Sequence, residues 1–329
     1  MALLSVRDLS VDIPTRQSTL HALKNVSLHI EPGEILGVVG ESGAGKSLTG
    51  AAILNLLEPP GRITGGEIWL ADQRIDNLDA ESMRQIRGRR IGAIFQDPLT
   101  SLNPLYTVGH QLEQTILTHL RMSPAQARDQ AVQLLEDTGI PAAAQRLNHY
   151  PHQFSGGMRQ RVVIALALAA QPELIIADEP TTALDVSIQA QIIELLIRVC
   201  RQRHAAIMLI THDMGVIAET SDRVAVMYAG RVVESGPVER IIHEPHHPYT
   251  QGLMASIPRV DADLVRLSHV PGNMPRLHDM PSGCAFHPRC DRQTAACSQS
   301  VPTLQSHGQR QEVACFHPIG VVMPAKEAL

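Results

Sequence analysis

Eight consecutive residues, Gly40-Glu41-Ser42-Gly43-Ala44-Gly45-Lys46-Ser47, match the pattern GxxxxGK[ST] at every fixed position. Such a loop cradles phosphate. Its glycines let the backbone wrap closely enough for successive N–H groups to face phosphate oxygens, and a helix starting at its end points its positive pole at the same anion. Lys46 would then reach the β and γ phosphates of a nucleotide. The Ser47 hydroxyl would join Mg2+, an ion that prefers few protein oxygens together with phosphates and water. Further along, Leu174-Ile175-Ile176-Ala177-Asp178-Glu179 is an apolar run closed by two adjacent carboxylates. Successive residues at a strand end point in different directions, so the pair divides naturally, Asp178 towards the metal and Glu179 towards the attacking water. An acidic pair after a strand is most often a solvated loop start. Its place downstream of a phosphate loop gives it a role.

These side chains need a scaffold. Residues 35–39 are a compact apolar run ending in glycine and residues 46–57 have helical composition, so the loop sits between a strand and a helix, the setting that its chemistry requires. Residues 174–177, 206–210 and 224–227 read as further core strands, with 186–203 a long helix between the first two. Near the start, Leu4, Val6, Leu9 and Val11, then Val26, Leu28 and Ile30, alternate with polar residues, the pattern of an antiparallel sheet. Residues 97–161 carry helical periodicity broken at Pro104, Pro124, Pro141 and Pro151, which predicts a helical insertion. Beyond Pro237 the chain turns rich in His, Pro and Cys, the composition of a second, loop-rich domain.

Composition bounds the rest. A chain of 329 residues with 44% hydrophobic residues can bury a full core and one extra small domain. Its longest unbroken apolar stretch, residues 162–170, is about half what a spanning helix needs, and residues 1–13 lack the basic start and apolar run of a secretory signal. A soluble protein that stays in the cytosol is expected. A net charge of −5 and 3% aromatic residues argue against a nucleic-acid surface.

Just ahead of the acidic strand lies Phe154-Ser155-Gly156-Gly157-Met158-Arg159-Gln160, and with it residues 1–240 resemble the ABC ATPase family, whose signature segment is close to LSGGQ. Gln96 after Ile94-Phe95 looks like the family's Q-loop, Ala183-Leu184-Asp185 like its D-loop, and His212 like its switch histidine. The resemblance implies an α/β fold, a P-loop NTPase of the ABC type with an antiparallel β subdomain, a RecA-like core and a helical subdomain. It implies a head-to-tail dimer with ATP and Mg2+ sandwiched between one subunit's phosphate loop and the Ser155-Gly156-Gly157 backbone of the other. Ser47, Gln96 and Asp178 would attend the Mg2+, and Glu179, His212 and Gln96 the hydrolysis. Met158 replaces the usual signature glutamine but leaves the Ser-Gly-Gly backbone intact, so activity is expected to survive. Where the family often stacks an aromatic residue on adenine, this chain offers Ile13 or His21.

Longer strings, Phe95-Gln96-Asp97-Pro98-Leu99-Thr100-Ser101-Leu102-Asn103-Pro104, Tyr150-Pro151-His152-Gln153 and His247-Pro248-Tyr249-Thr250, resemble those of bacterial dipeptide and oligopeptide importers, a group with relatives that move nickel and glutathione. That resemblance implies a second, homologous ATPase subunit, two membrane permeases and an external solute-binding protein, at the cytoplasmic face of the inner membrane. The segment after Gln96 would receive the permease's coupling helices. A soluble ABC protein acting on ribosomes or DNA is the rival reading. Such proteins commonly carry two ATPase cores or a long coiled-coil insertion, and this chain has neither. A scaffold subunit that binds ATP without hydrolysing it is disfavoured by the intact Glu179 and His212.

Four of the five cysteines, Cys284, Cys290, Cys297 and Cys315, crowd into one late segment with few apolar residues, within the expected C-terminal domain at 241–329. In a reducing compartment such crowding points to metal more than to disulfides. Four thiolates suit a [4Fe-4S] cluster or zinc, although close CxxC pairs are absent, and free structural thiols are the third reading. The importer resemblance implies the iron–sulfur cluster. Cys200, at the end of an expected helix, reads as a small buried residue.

Overall fold

The computed structural model describes residues 2–182, 184–256, 270–308 and 310–320, the side chains of residues 98, 99, 186 and 187 excepted. Twelve strands among these residues form two sheets. The first is antiparallel, in the order β2-β1-β4-β5, from β1 (Leu4–Pro14), β2 (Thr19–Ile30), β4 (Arg62–Leu70) and β5 (Gln73–Arg74). Its alternating residues Leu4, Val6, Leu9, Val11, Val26, Leu28 and Ile30 are all buried, as the period-two pattern requires.

The second sheet carries the chemistry. Its parallel part runs β9-β3-β8-β7-β6, from β3 (Ile35–Val39), β6 (Ile91–Ile94), β7 (Leu174–Asp178), β8 (Ala206–Ile210) and β9 (Arg223–Tyr228). All five residues of β3 and of β8 are buried, the unbroken apolar character of strands covered on both faces. Register then fixes geometry: Val38 pairs with Ile210, and Ile210 with Asp178, so three strand ends reach the same level. On the far side β10 (Arg231–Pro237) runs antiparallel to β9, and β12 (Glu312–Val313) and β11 (Gln305–Ser306) continue the sheet beyond it. The cysteine-bearing segment is thus tied into the same sheet as the phosphate loop, a pairing that the sequence pattern does not announce.

The insertion after β6 is helical as expected, with Pro98–Ser101, Val108–His119, Pro124–Asp137 and Ala143–Arg146. Thr107 and Ser123 cap two of these helices through their hydroxyls, and Pro124 stands at a first-turn position where it forfeits no bond. Cys200 is buried in the helix Val186–Gln202, and burial pushes its thiol up to about 12. Among the described residues no helix is long and apolar enough to cross a membrane.

After β10 the chain is anchored by Glu234. Its buried carboxylate accepts from the N–H groups of His246 and His247 and from Gln311 Nε2. His247 in turn caps the helix Pro248–Ala255, its Nδ1 accepting from the Tyr249 N–H at 3.0 Å. Burial holds this imidazole down at about 3, so the folded state keeps it neutral while the unfolded chain protonates it below about 6.5. Unfolding therefore binds a proton, and stability falls as pH drops from about 6.5 towards 3. In thermal melts between pH 7 and pH 5, His247→Asn, which keeps a cap acceptor but cannot titrate, is expected to lose about 2 kcal/mol less than the native chain. Equal losses in both proteins would contradict this role.

Candidate functional site

Gly40 to Ser47 wrap between the end of β3 and the helix Lys46–Ile53. Two positions of this loop tolerate no side chain. Gly40 has φ +149° with the Met227 carbonyl oxygen 2.2 Å from where a Cβ would stand, and Gly45 has φ +101° with Leu23 Cδ2 at 2.7 Å. Lys46 is buried, its Nζ donating to the carbonyls of Gly40 at 2.8 Å and Glu41 at 3.1 Å. Burial lowers its pKa, opposed by the charges of Glu179, Asp178 and Glu41.

The register of the parallel strands brings the carboxylates to this loop. The Ser47 hydroxyl donates to Asp178 Oδ1 at 2.9 Å. Burial raises the Asp178 pKa, with the Ser47 bond and Lys46 pulling the other way and Glu179 adding to the rise. A desolvated carboxylate beside a hydroxyl, next to a phosphate-binding loop, is short of positive charge. That donor set fits Mg2+, with Gln96 at the rim. Glu179 follows with φ +46°, a conformation that L residues rarely hold, fixed by its N–H bond to the Ile210 carbonyl at 2.9 Å. Its carboxylate accepts from Thr182 Oγ1 at 2.7 Å and Gln96 Nε2 at 3.3 Å, and meets His212 Nδ1 at 3.3 Å. Burial alone would raise its pKa. The bonds from Thr182 and His212, with the charges of His212 and Lys46, outweigh burial and hold it below the usual range. Glu179 is therefore ionised near neutrality, the state in which a carboxylate can accept a proton.

One cavity of about 680 Å3 collects Ser42 to Ser47, Gln96, Glu179 and His212 with Ile13, Ala22 and Leu277. Of the two adenine-side candidates, Ile13 lines it. His21 does not: its ring is drawn to Asp12 Oδ1 at 2.7 Å and stays largely exposed. Leu277, from the C-terminal region, was not foreseen, because nothing in a lone leucine signals a wall 230 residues away in sequence.

Ser155, Gly156, Gly157 and Met158 are not among the residues lining this cavity. Ser155 caps the helix Gly156–Leu168, its Oγ accepting from the Met158 N–H at 3.3 Å. Asp185 caps the helix Val186–Gln202 without a side-chain bond and also stands apart, and Ala183 lies outside the described residues.

Cys284, Cys290, Cys297 and Cys315 line one small pocket together with His287 and His317. They do not form a ready ligand set: among the described residues no group of three or more His, Cys, Asp or Glu is arranged to hold a metal ion, which corrects that expectation for a single ion such as zinc. The ring nitrogens beside the thiols are partly spent, and burial raises the thiols of Cys284 and Cys290 and pushes Cys315 up to about 11. His287 is engaged at Nδ1 by the Cys284 carbonyl at 2.9 Å and His317 at Nε2 by Thr294 Oγ1 at 2.8 Å.

Comparison with known proteins gives the same reading as the geometry. Residues 23–182 match the family model described as ABC transporter, and residues 233–297 that described as oligopeptide/dipeptide transporter, C-terminal region. The chain is 44% identical to the dipeptide transport ATP-binding protein DppD of Escherichia coli over 97% of its own length and 98% of that protein. It is 49% identical to the oligopeptide transport ATP-binding protein OppD of Bacillus subtilis over 86% of this chain and 80% of that one. Among solved structures, a post-hydrolysis dimer of the ATP-binding cassette MJ0796 bound to ADP and phosphate is similar, at 31% identity and TM-score 0.64, over 71% of this chain and 98% of that chain.

Replacing Glu179 tests the site. Glu179→Gln is expected to leave ATP binding intact while lowering kcat by about a hundredfold or more. Unimpaired hydrolysis in that variant would remove Glu179 from its role. Lys46→Ala is expected to weaken nucleotide binding itself, read by titration with a fluorescent ATP analogue.

Proposed function

The chain belongs to the family of ATP-binding subunits of ABC transporters, and from that premise we propose that it hydrolyses ATP to energise the import of dipeptides or oligopeptides at the cytoplasmic face of a bacterial inner membrane. The observation that carries the chemistry is the convergence of Gln96, Thr182 and His212 on the ionised Glu179 carboxylate, beside Lys46, Ser47 and Asp178. Whole-length similarity to peptide transport ATP-binding proteins supports the substrate class.

In this mechanism the loop N–H groups and Lys46 bind the β and γ phosphates, and Glu179 takes a proton from the attacking water while Gln96 orients that water. His212, exposed at the mouth, is free to turn to the γ phosphate as charge develops there. Mg2+, held by Ser47, Asp178 and Gln96, would neutralise phosphate charge when bound. The Ser155-Gly156-Gly157 backbone and the Asp185 segment serve the nucleotide on a second, homologous ATPase subunit, which is why they stand away from this chain's own phosphate loop.

We assign residues 1–240 to the ATPase, with 97–161 as its helical subdomain, and 241–329 to a peptide-importer-type domain. Two permeases and an external solute-binding protein complete the assembly. The permeases' contact on this chain is the segment after Gln96, flanked by the exposed Phe95 at 49%, with Leu105 and Tyr106 further along it exposed at 79% and 48%. Closure of the ATPase dimer would pull on helices seated there and switch the permease.

We further infer that the cysteine pocket receives a [4Fe-4S] cluster. Its support is the convergence of four thiols on one pocket. A cluster several atoms wide asks its thiolates to stand further apart than the ligands of one ion do, so the missing single-ion geometry weighs against zinc more than against the cluster. Protein purified without oxygen is expected to absorb broadly near 400 nm and to hold about four irons per chain. Absence of both iron and absorbance would leave ordinary packed thiols.

Uptake of a labelled dipeptide decides the substrate. Cells whose own copy is replaced by Glu179→Gln are expected to lose uptake. Normal dipeptide uptake alongside lost nickel or glutathione uptake would transfer the machinery to another solute.

A further inference from the structure

The phosphate loop has a partner that the ATPase reaction does not account for. Arg289 lies in the short turn His287–Arg289, between Cys284 and Cys290, and its side chain is only 7% exposed. Its guanidinium donates to both carboxylate oxygens of Glu41, at 2.9 and 3.0 Å, and to the Tyr228 hydroxyl at 3.3 Å. Its remaining N–H groups reach the carbonyls of Pro271, Val270 and Gly272. The rings of Tyr228 and Phe286 stand 5.7 and 5.8 Å from it. Glu41 is the second residue of the phosphate loop, and its own N–H donates to the Tyr249 hydroxyl at 2.8 Å. The C-terminal region therefore grips one loop residue twice, once by its carboxylate and once by its backbone.

Charge gives this grip a consequence. A carboxylate in a loop that must receive a polyphosphate is a like charge in the wrong place. The Glu41 carbonyl already accepts from Lys46 Nζ, and its carboxylate charge acts on that same ammonium. Left unpaired, Glu41 would repel the incoming phosphates and compete with them for Lys46. A guanidinium fork meeting both carboxylate oxygens cancels that charge in a fixed geometry, which a lysine's point charge does less well.

We propose that Arg289 is a positioning residue for nucleotide binding: from the C-terminal segment it neutralises Glu41 and so lets the loop accept phosphate. This rests on residues 40–47 being the ATP site. The role differs from simply holding residues 270–272 in place, because it acts through Glu41 and vanishes when Glu41 carries no charge.

The test is an equilibrium titration of the full-length chain with Mg2+ and a methylanthraniloyl ATP analogue. Arg289→Gln is expected to weaken binding about tenfold, since losing one partner of a partly buried pair leaves the Glu41 charge uncompensated beside the loop. Arg289→Lys should fall between that variant and the native chain. Adding Glu41→Gln to Arg289→Gln should recover most of the loss. Native-like affinity in Arg289→Gln, or a double variant as weak as Arg289→Gln alone, would overturn the proposal. If circular dichroism shows that Arg289→Gln does not fold, Arg289→Lys with and without Glu41→Gln decides the question by the same comparison. Failure of the native chain to bind the analogue would instead overturn the ATP-site reading beneath it.

Discussion

Because β3, β7 and β8 run parallel in matched register, their carboxyl ends deliver Gly40, Asp178-Glu179 and Thr211-His212 to one edge of the core sheet. Every chemical group of the site depends on that alignment. A slip of two residues on β7 would carry the acidic pair about 7 Å from Ser47. Burial enforces the register, since β3 and β8 have no exposed residue and no polar face to trade for another. Ligand sites at the carboxyl ends of parallel strands recur for this reason: the strands fix position and the following loops and helices supply the groups.

Electrostatics then divides the work. Lys46 sits amid three carboxylates, two of which carry roles in the proposed reaction. Asp178 is the more desolvated and is tied to Ser47, while Glu179 is pinned from three sides with its charge favoured. Glu41, the third, is met at both carboxylate oxygens by Arg289. The same sheet joins both ends of this arrangement. β10 and β12 continue it towards the cysteine-bearing segment, and Tyr249 and Arg289 return from that side to the loop.

Local sequence announced the site where chemistry and backbone needs coincide. Glycines at fixed spacing before Lys46-Ser47, and an apolar run ended by Asp178-Glu179, are visible because each motif lies within one strand–loop or loop–helix unit. Strands β3, β7, β8 and β9 were legible from apolar runs within a residue or two of their observed ends. What stayed hidden was long-range. β12 is two residues long and gains its place by pairing with β10 on one side and β11 on the other. Leu277, Tyr249 and Arg289 reach the phosphate loop across more than 200 residues, and no periodicity marks them. His21 stands outside the cavity for a similar reason: its neighbour across the strand pair, Asp12, claims the ring. The four cysteines were readable as a group, but their ligating geometry depends on sulfur positions and protonation that spacing does not encode.

The central claim is that one edge of the core sheet binds Mg2+-ATP with the loop 40–47 and is gripped from the C-terminal segment. Hydrogen–deuterium exchange of the full-length chain, with and without Mg2+-ATP, measures this directly, because each loop N–H that faces a phosphate oxygen should lose its exchange with water. The account predicts strong added protection over residues 40–49, with a smaller gain at 286–290 transmitted through Arg289. Unchanged exchange at 40–49, under conditions where ATP is bound, would contradict it.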